Sequence, residues 1–157
     1  MGSGKEIIMK IYIDQSGKVE YTGHNTVVAY SNGSNKTVYI SAVEKRKIQK
    51  LFRSVGKPEM FIYTTFASLV YLLIADKLEN VSMIIIDREY WGKESVIKDQ
   101  ILRIIRTNGH TNFDSTKIEF GLVGKKRGCH IAAISVLRKK VKPDKIVIAK
   151  DVLKLIL

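Results

Sequence analysis

Two stretches decide how this chain reads: Met9–Gly17, MKIYIDQSG, and Val81–Glu94, VSMIIIDREYWGKE. In each, an apolar and β-branched run stops at an aspartate, Asp14 in the first and Asp87 in the second, and polar or turn-forming residues follow. Both predict a strand that delivers a carboxylate at its end. Two carboxylates on neighbouring strands can share a hard cation such as Mg²⁺, which takes oxygen ligands, and that is the minimum equipment for metal-assisted phosphoryl chemistry. Taken singly, each aspartate also suits the opening of a turn. The repetition of the pattern sets the two readings level.

Composition bounds the rest. The 157 residues suit one domain with one core, expected over 1–157 with a flexible tail at 1–6. Lysine and arginine number 27 against 15 acids, for a net charge of +12 and a pI near 9.8. That balance is the electrostatic footprint of a polyanion binder. Nucleic acid is the first partner it suggests and an anionic membrane surface the second, but no apolar run is expected to span a bilayer. The one cysteine, Cys129, excludes an internal disulfide and a cysteine-based zinc cluster. A cytoplasmic protein is therefore expected, and MGSGKEII is too weakly apolar for a signal peptide.

Working outward from the first aspartate, Ile7–Asp14 is the first strand, Gly17 marks a turn, and Val19, Tyr21 and Thr26–Ser31 suit a pleated surface. Asn32–Asn35 (NGSN) is a hairpin turn, and Thr37–Ser41 is a third strand, giving an antiparallel meander. Ser41 caps a helix over Ala42–Phe52, with Glu44 completing a Ser-x-x-Glu capping box. Lys45, Arg46, Lys47, Lys50 and Arg53 form its polar face, either solvated or docked on phosphates. Thr64 or Thr65 caps a second, mostly apolar helix carrying Phe66, Leu69, Val70, Leu73, Ile74 and Leu78. Val81–Asp87 is the fourth strand. An amphipathic helix spans Lys93–Arg106, Lys117–Val123 is the fifth strand, and Gly124–Gly128 (GKKRG) is a basic loop. A helix from Cys129 or His130 to Lys140 follows, and Lys145–Leu157 supplies a short strand or helix as cover.

This order predicts an α/β fold with a mixed five-stranded sheet flanked by helices. With Asp14 in IYIDQSG, Asp87 in IIIDREYWG and His130 in GKKRGCHIAAISVLRKK, the chain resembles the ribonuclease H-like superfamily, which includes ribonucleases H, RuvC-type junction resolvases, transposases and integrases. The resemblance covers nearly the whole chain in element order. It implies a domain in which Asp14 and Asp87 bind two divalent metals, Mg²⁺ or Mn²⁺, for phosphodiester cleavage, with His130 as a further ligand. Many members also place a glutamate on the helix before the fourth strand. Here that helix holds none, so Glu44, Asp76 or Glu89 would substitute; Glu89 is favoured because, two residues past Asp87, it points to the same side of an extended chain. Resolvases of this kind work as dimers, which makes a homodimer an expectation without an assigned face.

Chemically, His130 could ligate metal, act as general acid or base, or simply pack beside Ala132 and Ala133. Lys125, Lys126 and Arg127 suit a phosphate backbone, beside a helix N-terminus that also favours anions. Tyr90 and Trp91 could stack on a base or sugar, or serve the core, and Lys93 lies alongside them as a further cation. His24 and His110 fall in loops without a partner at ligand spacing. The expected function is a metal-dependent nuclease; the alternative is a non-catalytic nucleic-acid-binding protein that keeps the fold without a complete metal site.

Overall fold

The computed structural model describes residues 9–124 and 127–157, so the expected tail, Lys125 and Lys126 lie outside the described residues. Three strands form first: β1 (Lys10–Ser16), β2 (Thr26–Ser31) and β3 (Asn35–Ile40). They make the antiparallel meander the sequence predicts, with β2 and β3 joined at the Asn32–Asn35 turn. Helices α1 (Ala42–Ser54) and α2 (Met60–Ile74) follow, then β4 (Met83–Asp87), α3 (Glu94–Thr107), β5 (Ile118–Gly121), α4 (Gly128–Leu137), β6 (Lys145–Val147) and α5 (Ala149–Ile156). The result is an α/β fold on a mixed sheet of order β5-β4-β1-β2-β3-β6.

The sheet has six strands where five were expected. Lys145–Val147 pairs in parallel with β3 and extends that edge instead of merely covering it. Three residues are too few for a period to choose between the strand and the helix expected there, so pairing decides it. The second helix likewise begins a full turn before Thr64. Pro58 and Lys57 offer their carbonyls to Phe61 and Met60, and proline's fixed φ suits a first turn. Thr64 instead lies inside α2 and donates its hydroxyl to Gln100 Oε1 at 3.2 Å.

Alternation along the strands divides the molecule into two layers of side chains. One face presents Ile11, Ile13, Val28, Tyr30, Val38, Ile40, Ile84 and Ile86 to α1, α2, α3 and α5, and this is the main core. The other face presents Val27 and Ala29, flanked by Tyr12, Tyr39 and Ile85, to α4 alone, through Cys129, Ala133 and Val136. Small residues let α4 lie close: a Cβ on Gly128 would stand 2.9 Å from Asn35 Oδ1. By length and composition, Met60–Lys77 could cross a membrane, contrary to the expectation that no segment would; 56% of that window is buried within the fold.

Helix α1 departs from its expected solvated face. Lys45 falls on the same stripe as Ile48 and Phe52 and is 0% exposed. Its ammonium donates to the carbonyls of Lys18 (3.3 Å), Val19 (3.4 Å) and Tyr21 (2.9 Å) and to Thr26 Oγ1 (2.8 Å). Burial pulls its pKa down from 10.5 to about 8, opposed by the charge of Glu20. Lys45 thereby pins the β1–β2 connection, which Arg46 also holds through the Thr22 carbonyl at 2.8 Å. At the base of this loop Gly17 has φ +69°, and a Cβ there would collide with the Asn25 carbonyl oxygen. Ser41 caps α1 as expected. The Glu44 carboxylate, however, reaches the Ala149 N–H at the start of α5 (3.1 Å) and pairs with Lys47.

Candidate metal centre

The register of the sheet creates the site. β1 and β4 are parallel neighbours, and Ile13 pairs with Ile86. The next residue on each strand is an aspartate, so Asp14 and Asp87 stand side by side and both point away from the isoleucine core. Glu89 joins them: single ligand oxygens of Asp14, Asp87 and Glu89 all lie within 4.8 Å of one another. The route differs from the extended chain that was expected. The strand stops at Asp87, and Glu89 N–H donates back to the Asp87 carbonyl at 3.0 Å, a tight turn that returns the glutamate to the cluster.

Each carboxylate is held from a different element. Asp14, only 5% exposed, accepts from the Gln15 N–H at 2.8 Å through Oδ1, and its Oδ2 lies 2.8 Å from His130 Nδ1 on α4. Asp87 Oδ1 accepts from the Val123 N–H at 2.9 Å. Lys18 Nζ approaches Glu89 Oε2 at 3.5 Å from the loop that Lys45 pins. Burial raises the Asp14 carboxyl above its ordinary range; the His130 hydrogen bond opposes this and the neighbouring Asp87 charge adds to it. Burial, a hydrogen bond to Asp87 and that residue's charge push Glu89 up to about 7. Crowded like charges with little water are the cause.

His130 was expected as a metal ligand. Its Nδ1 is hydrogen-bonded to Asp14 Oδ2, and it is not among the three groups whose possible ligand atoms converge; an imidazole so placed can orient a carboxylate that holds a metal. The third carboxylate of the group that could hold an ion is Glu89. The other substitutes for the helix glutamate are engaged elsewhere: Glu44 at α5, and Asp76 with Lys36 at 3.4 Å.

The aromatic candidates separate. Tyr90 takes the core alternative, with edge contacts to Tyr63 and Phe66. Its hydroxyl accepts from Gln15 Nε2 and donates to Glu20 Oε1, both at 3.0 Å. Trp91 is 66% exposed, with the Arg88 guanidinium 5.0 Å from its ring. Lys93 is exposed at the start of α3. Arg127 is exposed and lies over the Tyr12 ring at 3.8 Å. Sequence reading missed Lys18, Gln15, Glu20 and Tyr12, which only proximity in the fold brings into the neighbourhood of the carboxylates. It could have found Lys45, whose i, i+3, i+7 spacing to Ile48 and Phe52 marks the buried stripe.

The donor set fits a hard divalent cation: three carboxylates converge, and burial, with the Asp87 charge adding to it, raises the carboxyls of Asp14 and Glu89. Compared with protein family models, with curated proteins and with solved structures, the chain matches none.

Proposed function

We propose that this chain is a divalent-metal-dependent nuclease of the ribonuclease H-like kind, hydrolysing phosphodiester bonds in nucleic acid. The observation that carries this reading is the convergence of Asp14, two residues before the end of β1, with Asp87 and Glu89 at and just past the end of its parallel neighbour β4. A meander of three antiparallel strands followed by parallel β4 and β5 supports it, as does the net charge of +12. Asp14, Asp87 and Glu89 would hold Mg²⁺ or Mn²⁺, which when bound supplies an activated water and charge neutralisation at phosphorus. The chain's own residues prepare that place. His130 and the Gln15 amide orient Asp14, the Val123 amide orients Asp87, and the Gln15–Tyr90–Glu20 hydrogen bonds steady the segment behind them.

Calorimetry with Mn²⁺ and cleavage assays on single-stranded, duplex, hybrid and junction substrates test the reading. Asp14→Asn and Asp87→Asn are each expected to lower cleavage at least about a hundredfold, since even supporting residues of metal sites are worth 10–100-fold. Unchanged cleavage in both variants would refute it. One observation favours the non-catalytic alternative: Lys18, 3.5 Å from Glu89, supplies an internal cation to the acidic cluster. On that reading the protein binds nucleic acid with a steep salt dependence and gives no Mn²⁺ isotherm.

A further inference from the structure

We propose that the open cavity beside the start of α4 is a phosphate subsite for one nucleic-acid strand, built by Arg127, Tyr12 and Lys10 and continuous along β1 with the carboxylate cluster. The class of ligand rests on the nuclease reading; the site itself rests on geometry. Lys10, Tyr12 and Asp14 alternate with the buried Ile11 and Ile13, so the three share the α4 face of β1. Alternate residues on a strand stand ~6.6 Å apart, a repeat comparable to that of successive phosphates on an extended nucleic-acid chain. A strand with one phosphate at the carboxylates would thus bring its next phosphates over Tyr12 and then toward Lys10.

What waits there is cationic and preorganised. The Arg127 guanidinium carbon lies over the Tyr12 ring, 3.8 Å from its centroid, a cation–π contact that holds the group in place beside the cavity. Among the described residues no carboxylate lies within ion-pair distance of Arg127 or Lys10. The cavity, about 460 Å³, is lined by both cations together with Tyr12 and the polar turn Ser31–Gly33. Helix α4 starts against the same turn. It has no side-chain cap on its first amides, and it is packed down so closely that Gly128 admits no Cβ without displacing Asn35. An uncapped helix start adds partial positive charge to a place already furnished with two side-chain cations. The Tyr12 ring is covered by Arg127, so the site reads the backbone and not a base.

The test is fluorescence anisotropy with a labelled oligothymidine strand in EDTA, over a salt series, on wild type, Arg127→Ala, Lys10→Ala and Lys57→Ala. Lys57 is an exposed cation at the end of α1, on the other face of the sheet, so its removal changes net charge alone. Arg127→Ala is expected to weaken binding about tenfold, a single charge-assisted contact, and to lower the salt slope by about 0.7, one phosphate on a single strand. Lys10→Ala should show the same slope change with a loss of about threefold, and Lys57→Ala less than about twofold. Equal losses in all three variants, or a wild type that does not bind the strand, would overturn the subsite. The Mn²⁺ isotherm of the same proteins separates the two readings. If Arg127→Ala loses strand affinity while wild type shows no isotherm, the nuclease reading fails and the subsite stands.

Discussion

On one face of the sheet Ile11, Ile13, Ile84 and Ile86 are sealed under α2 and α3; on the other, the next residues along the same strands, Tyr12, Asp14, Ile85 and Asp87, meet α4 or lie at its margin. The first face is large, apolar and multiply covered, and each buried isoleucine or leucine there contributes roughly 1.5–3 kcal/mol by leaving water. The second is thin, held by a ten-residue helix packed through small side chains, and it is where the acidic side chains converge. Placing the carboxylates at the margin of the weakly covered face leaves Asp87 and Glu89 partly solvated while Asp14 is buried. The deep core behind them keeps the strands from moving. Rigidity and electrostatic tension are thus assigned to opposite sides of one layer of backbone.

Substitutions on the two faces sharpen that contrast. Leu73→Ala, in the deep core, should lower stability by about 3 kcal/mol in urea unfolding while leaving Mn²⁺ affinity within about twofold of wild type, because it removes packing and no ligand. Asp87→Asn should do the reverse, abolishing the Mn²⁺ isotherm while the urea midpoint of the metal-free protein holds or rises, since it relieves like-charge crowding with Asp14 and Glu89. If both variants lose stability equally, the division of labour between the faces is wrong.

A smaller effect separates Lys45 from both. Its folded pKa, about 8, lies below its ordinary 10.5, so the unfolded chain binds the extra proton between those values and stability rises with pH across that window. The cost of the buried ammonium is fully present below pH 8 and relieved by pH 10.5. Unfolding free energy should therefore climb by on the order of 1–3 kcal/mol through that range in wild type, and Lys45→Met should lack the rise. The smallest expected change is at the far end of α4. Lys139 holds φ +61° just past the helix, a conformation that suits glycine, and Lys139→Gly should stabilise the protein by about 0.5–1 kcal/mol in thermal unfolding.

Much of this was readable beforehand because local patterns carry it. The apolar run ending at Asp87, the NGSN turn and the Ser41 cap each depend on neighbours in sequence and appear where their patterns predict, whereas β1 runs two residues past Asp14 to Ser16 because Asp14, Gln15 and Ser16 still pair with β2. Lys45 shows the limit of reading residue type before position: its charge suggested water, while its place on the Ile48–Phe52 stripe required burial. β6 was legible only as a short strand or helix, and its place in the sheet was not, because that place is set by β3, over a hundred residues away. Glu89 was favoured for an extended geometry and reaches the cluster through a turn.

The chain by itself determined that two apolar strands would each carry an aspartate at or near the C-terminal end and that cations would outnumber acids, because strand propensity and charge are properties of short stretches. Only the tertiary structure decided that those strands lie parallel and adjacent with Ile13 opposite Ile86, that His130 stands behind Asp14 and that Arg127 rests on Tyr12. Those facts follow from register and helix docking, and both are set by the burial of side chains distant in sequence, which no local pattern encodes.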